Sequence, residues 1–269
     1  MREENLVYEG AALREATGDV IRPGGLALTD RALALCQLPD GARVLDVGCG
    51  PGATVEHLIT QYRLDAVGLD ASDALIQAGR HRHPALPLLQ AMGECLPVCD
   101  DSLDAILSEC SLSLVADIDQ ALAEFRRTLK PGGYLIVNDV YARNPDGTAA
   151  LRCLPLEACL RGAMSQSEIV ERLRAHNFQI AAWQDHSDAL KQFAVQLIWA
   201  HGSMAPFWCR ATSGANLVDI QRAIAQSRPG YFLLVAQKNR RVKNGRPGSH
   251  QSIEAARFFL QPNSSPSRT

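Results

Sequence analysis

The chain has 269 residues, room for one large domain or one domain with an insertion, and 46% of them are hydrophobic, ample for a core. Its 27 Lys and Arg nearly balance 29 Asp and Glu, so a formal charge of −2 gives no whole-chain attraction to nucleic acid or an anionic membrane. No run of about 18 apolar residues is present to span a bilayer, and the polar start, Met1-Arg2-Glu3-Glu4-Asn5, lacks a secretory pattern, so a soluble cytoplasmic protein is expected.

Residues 1–40 read as an N-terminal cap segment. It holds a turn at Arg22-Pro23-Gly24-Gly25 and a helix over Leu26–Leu38, which either covers a ligand or simply packs. Val44, Leu45 and Val47 make a short buried strand, and three glycines at alternate positions follow: Gly48, Gly50 and Gly52. A helix is expected over Ala53–Tyr62, a second strand over Asp65–Asp70, and a helix capped by Ser72 that runs to about Arg82. Leu86–Ala91 reads as a third strand, Ser102–Ser108 as a fourth, Ile118–Lys130 as an amphipathic helix and Tyr134–Val140 as a fifth strand. Residues 154–176 look helical, with Ser165 as a cap. Phe178–Trp183 is a sixth strand, and apolar helices follow over Ala189–His201 and Leu217–Gln226. Gly230–Ala236 is the last strand. Five basic residues between Lys238 and Arg246 open a tail, 238–269, that reads as solvated and disordered.

Strand, glycine turn, helix is how a doubly wound α/β domain builds a nucleotide site at the carboxyl edge of its sheet. The spacing alone also fits a dinucleotide pattern. Asp46 argues against that reading, since an acid just ahead of the turn repels a pyrophosphate and attracts an amine-bearing ligand. Asp70, at the end of the second strand, can accept hydrogen bonds from ribose hydroxyls.

Three stretches in the right order, Val44-Leu45-Asp46-Val47-Gly48-Cys49-Gly50-Pro51-Gly52, the strand ending in Asp70, and Phe125-Arg126-Arg127-Thr128-Leu129-Lys130-Pro131-Gly132-Gly133, resemble the class I (type 11) S-adenosylmethionine-dependent methyltransferases over about residues 40–142. The resemblance implies a Rossmann-like, doubly wound, seven-stranded sheet with a reversed last strand at 230–236. It places a methyltransferase domain over 41–237, with 188–226 as a helical insertion or lid. It implies that Asp46, Gly48, Gly50 and Gly52 hold the methionine part of S-adenosylmethionine, Asp70 the ribose, and Met92 and Gly93 the adenine. The family often has an acid where Met92 stands.

A narrower likeness follows. Ser108-Glu109-Cys110-Ser111-Leu112 and Glu157-Ala158-Cys159-Leu160-Arg161 resemble cysteine segments of arsenite methyltransferases, which implies that Cys110 and Cys159 are substrate-binding thiols for a trivalent metalloid. Those enzymes carry a further cysteine motif ahead of the first strand, where this chain offers only Cys36. Buried free cysteine as a small apolar residue is the plainer account of both. No resident metal is expected, and Cys95 and Cys99 lack the paired spacing of a closed zinc site. Glu109, Asp139 and His186 are possible bases if the acceptor is oxygen or nitrogen. Glu109 is otherwise a solvated edge acid, Asp139 a turn cap, and His186 and His201 surface histidines. Trp199, Phe207 and Trp208 form a lid or pack the insertion. The expected function is methyl transfer to a small molecule, such as a thiol-bound metalloid, with no nucleic-acid or membrane partner. The alternatives are O-, N- or C-methylation of a small metabolite, a dinucleotide-dependent oxidoreductase, and a non-catalytic cofactor- or thiol-metal-binding protein.

Overall fold

The computed structural model describes residues 8, 13, 17–155, 158–204 and 216–240. The expected tail beyond residue 240, and Phe207, Trp208 and Cys209, lie outside the described residues. Eight strands form one sheet: β1 (Arg43–Val47), β2 (Asp65–Asp70), β3 (Leu88–Gln90), β4 (Leu103–Glu109), β5 (Leu129–Ala142), β6 (Met164–Ser165), β7 (Phe178–Asp185) and β8 (Pro229–Lys238). Their order is β3-β2-β1-β4-β5-β8-β7, with β6 paired to the end of β5. Strands β1 to β5 are parallel. β8 runs antiparallel to both β5 and β7, which makes it the reversed strand of a Rossmann-like doubly wound sheet.

The central strands are covered on both faces, so they read as continuous apolar runs. Alternation still sorts their side chains. Val44, Leu107, Ile136 and Leu233 pack into one core layer, and Leu45, Ile106, Val137 and Leu234 into the other. The helices supply the outer layers: α1 (Gly25–Leu33), α2 (Ala53–Tyr62), α3 (Asp73–Arg82), α4 (Ile118–Thr128), α5 (Thr148–Arg152), α6 (Gln166–Ala175), α7 (Ser187–His201) and α8 (Leu217–Ser227). Helix α4 shows why sequence and packing agree. Asp117 caps it by accepting from the Gln120 amide, and Ala121, Leu122, Phe125 and Thr128 form its buried stripe. Ser72 and Ser165 cap α3 and α6 as expected, accepting from Leu75 and Glu168.

Several boundaries differ from the sequence reading. Helix α1 ends at Leu33 rather than Leu38, because Ala34 to Cys36 turn the chain back toward β1. Strand β3 is shorter than expected. Helix α4 ends at Thr128, since Leu129 already pairs with Leu103, and the Lys130–Gly133 turn is carried inside β5 where the register shifts. Residues 158–164 do not continue a helix: a 3-10 turn over Cys159–Gly162 leads into β6. The tail boundary also moves. Lys238 is 3% exposed, ends β8, and donates to Asp101 at 2.5 Å and to the Leu129 carbonyl at 2.6 Å, so it belongs to the domain. No helix among the described residues is long and apolar enough to cross a membrane.

Candidate active site

The sheet changes direction between β1 and β4, and the chain leaves both strands into loops at their carboxyl ends. This is where an open α/β sheet leaves a crevice. The first loop is the glycine turn. The amides of Gly48 and Cys49 both donate to the Leu69 carbonyl, at 2.7 and 3.0 Å. Gly48 has φ of 80°, and a Cβ there would stand 2.3 Å from Ser111 Cβ, so no other residue fits. The Gly50 amide donates to Asp70 Oδ2 at 2.8 Å, and the Ser72 amide donates to Asp70 Oδ1 at 2.9 Å. Asp70 therefore ties the turn to the start of α3.

A cavity of about 780 Å³ opens over this turn. Gly48, Gly50, Asp70, Met92 and Gly93 line it together with Cys110, Ser113, Arg161 and Gly162, and Tyr8 and Arg22 reach it from the N-terminal segment. Of the residues singled out from sequence, Asp46, Gly52, Asp139 and Cys159 lie outside its lining. Met92 is 55% exposed at the mouth, whereas Gly93 is buried. Among the described residues, none of α7 or α8 lines the cavity. Trp199 is 87% exposed and covers nothing there. His186 and His201 are not part of the lining, and burial and nearby Arg31 push His186 below the ordinary histidine range.

Behind the turn lies a buried ionic network that the sequence reading missed. Arg22 pairs with Glu109 at 2.7 Å, and both side chains are nearly inaccessible. Thr29 on α1 and Asn138 on β5 donate to Glu109 Oε1 at 2.9 and 2.6 Å, and Thr54 on α2 donates to Oε2 at 3.4 Å. Glu109 is thus no solvated edge acid: it borders the cavity, with its carboxylate engaged by Arg22, Thr29, Thr54 and Asn138. It joins the N-terminal segment to α1, α2 and the sheet. No local spacing connects these residues, so no sequence signal marks them beyond an arginine beside the Pro23-Gly24-Gly25 turn. Arg22 Nε and Asn138 Oδ1 are buried with no hydrogen-bond partner among the described residues. Asp46, 2% exposed, is lifted to about 8 by burial, with Glu109 and Asp70 adding repulsion and Arg22 opposing. In the unliganded protein at neutral pH it is therefore mostly protonated, unlike the free anion that sequence reasoning supposes.

The third feature is sulfur. Cys110, in a left-handed conformation with φ of 57°, leaves β4 and donates its amide to the Asn138 carbonyl at 2.7 Å. Its sulfur lies 3.3 Å from Tyr231 Oη, and the Cys159 amide donates to Tyr8 Oη at 3.0 Å. The ligand atoms of Cys110, Asp139 and Cys159 lie within 4.8 Å of one another. The hydrogen bond with Cys159, then burial, holds the Cys110 thiol well above its ordinary range. Asp139 accepts from the Ser113 amide (2.9 Å), Ser113 Oγ (2.8 Å) and the Val140 amide (2.7 Å), and burial raises it to about 6 against those bonds. Cys95 and Cys99 are exposed and join no such group among the described residues.

Residues 45–137 match the family described as a methyltransferase domain. The demethylmenaquinone methyltransferase of Renibacterium salmoninarum is 35% identical over 125 residues, 46% of this chain and 52% of that protein. The chain spans about half the length of the curated relatives it matches. Among solved structures, the [4+2]-cyclase SpnF is similar with a TM-score of 0.69 and 25% identity, covering 87% of this chain and 93% of that one. The Haemonchus contortus phosphoethanolamine N-methyltransferase 2 in complex with S-adenosyl-L-methionine shares the fold, with a TM-score of 0.62 and 16% identity over 85% of this chain and 56% of that one.

Proposed function

We propose, from the match of residues 45–137 to the methyltransferase domain family, that the chain transfers a methyl group from S-adenosylmethionine to a small-molecule acceptor. One observation carries the reading: Gly48, Gly50, Asp70, Met92 and Gly93 line a single cavity with Cys110. A volume of about 780 Å³ suits a cofactor with a small acceptor beside it. The residues present fit the cofactor. Asp70, its orientation fixed by two backbone amides, would take the ribose hydroxyls. The side-chain-free turn would take the methionine part. Arg22, whose buried Nε has no partner among the described residues, would meet its carboxylate. Asp46 would face the positive charge, and Met92 and Gly93 would border the adenine.

When bound, the cofactor supplies an electrophilic methyl group. The protein's share would be placement: the lining would hold donor and acceptor in line and exclude water. Asp70→Ala should abolish cofactor binding in calorimetry. Near-normal affinity would remove the site. Because the same fold serves unrelated chemistries, turnover needs its own check. A thermal-shift screen with adenosylmethionine, adenosylhomocysteine, NAD and arsenite, followed by assay of adenosylhomocysteine release, separates methyl transfer from oxidoreduction and from binding alone.

A second, finer reading is favoured by the sulfur on the cavity wall. An acceptor held by Cys110, with Cys159 beside it, would be a thiophilic species such as a trivalent metalloid, arsenite included. Such an acceptor brings its own lone pair and needs no base. Cys110→Ser should then eliminate metalloid methylation, and unchanged turnover would retire this reading alone.

A further inference from the structure

We infer that Cys110, Asp139 and Cys159 form a three-donor site for a divalent cation of the zinc class, with its fourth position open toward the cavity. The ion's part in catalysis rests on the methyl-transfer reading above, whereas the site itself stands on three side chains. Two thiols and a carboxylate, with one position left over, is the ligand number of a catalytic rather than a structural zinc centre. The donor atoms already lie within 4.8 Å of one another. Tetrahedral bonding at the usual Zn–S length places sulfurs ~3.8 Å apart, so the side chains draw in by at most roughly 1 Å.

The backbone explains the convergence. Glu109 and Asn138 are paired rungs of β4 and β5, so the next residues are neighbours, Cys110 just past the end of β4 and Asp139 continuing β5. Cys159 comes from the 3-10 turn that ends at Gly162. That turn is pressed so closely on the Ser113 loop that a Cβ on Gly162 would stand 1.9 Å from the Ser113 carbonyl oxygen. Ser113 also fixes the carboxylate of Asp139 through its amide and its hydroxyl. Hydrogen bonds of this kind orient a ligand before the ion arrives. Cys110 lines the cavity, whereas Asp139 and Cys159 are not part of its lining, so Cys110 is the donor at which the site adjoins the cavity.

Asp139 separates this ion from a trivalent metalloid. The metalloid bonds to sulfur and gains nothing from the carboxylate, whereas a divalent ion uses all three donors. At the open position a thiol or hydroxyl acceptor, X–H, would coordinate and lose its proton to water. The X–C bond then forms to the methyl carbon as the C–S bond of the sulfonium breaks. The electron pair returns to sulfur, giving S-adenosylhomocysteine.

The test is cobalt titration of the full chain after chelation under reducing conditions. One equivalent should bind, with a thiolate-to-cobalt charge-transfer band and intense tetrahedral d–d bands, and zinc should displace it. Cys110→Ser and Cys159→Ser should lose the charge-transfer signature. Asp139→Asn should weaken cobalt binding at least about tenfold while leaving arsenite uptake by the two thiols unchanged. Calorimetry with adenosylhomocysteine on each variant reports that the domain is folded. Absence of a cobalt site, arsenite uptake without one, or cobalt binding equal in Asp139→Asn would overturn the inference. Failure of the wild-type chain to bind adenosylhomocysteine would instead sink the methyl-transfer reading and leave the ion site standing.

Discussion

Asp46 is a carboxyl group held mostly protonated by its surroundings at neutral pH. A cationic ligand beside it favours the carboxylate, so binding should release a proton, and affinity should rise with pH up to about 8. Calorimetry in buffers of different ionisation heat reads both, and Asp46→Asn should flatten the profile. Stability of the unliganded protein should run the other way. A raised acid favours folding while protonated, so stability should fall as pH climbs from the ordinary carboxylate range toward 8, and the fall should vanish in Asp46→Asn. Arg22 acts on the same neighbourhood. Arg22→Ala leaves Glu109 buried without its cation, a change expected to cost ~3–5 kcal/mol in urea denaturation. The glycine turn, Asp70 and Cys110 were legible because each sits at a fixed offset from a strand end. Arg22 and Glu109 were not, because only the finished fold brings an N-terminal turn against the end of β4.

At the level of single elements, caps and amphipathic stripes were readable wherever the chain itself supplied the partner. Ser72, Ser165 and the buried face of α4 are examples. The stretch from 158 to 164 was not readable. Its course is decided by contact with the Ser113 loop and by β6 pairing with the end of β5, both of them tertiary. Gly162→Ala should therefore push the Cys159–Gly162 turn away from that loop. The expected readout is loss of crosslinking between Cys110 and Cys159 by a short dithiol reagent, with adenosylhomocysteine affinity retained. The run Pro131-Gly132-Gly133 was legible as the end of α4. Its absorption into β5 was not, since that depends on Leu129 finding Leu103 across the sheet.

For the molecule as a whole, the doubly wound order follows from alternating strands and helices, while the reversal of β8 came from family resemblance and not from periodicity. The insertion 188–226 was expected as a lid; among the described residues, α7 and α8 contribute nothing to the cavity lining, whereas Tyr8, Arg22, Arg152, Ala158, Arg161 and Gly162 do. Trp199→Ser should accordingly leave cofactor affinity within about twofold by calorimetry, a surface change away from the site.

Asn138 and Asp139 are neighbours on β5, and successive side chains of a strand point to opposite faces. Asn138 reaches the Glu109 network, and Asp139 reaches the thiols. The spacing between the ionic network and the sulfur cluster is therefore one peptide unit of a central strand. Changes confined to the loops leave that spacing intact, but a slip of β5 by a single residue would turn the amide toward the sulfurs and the carboxylate toward the network.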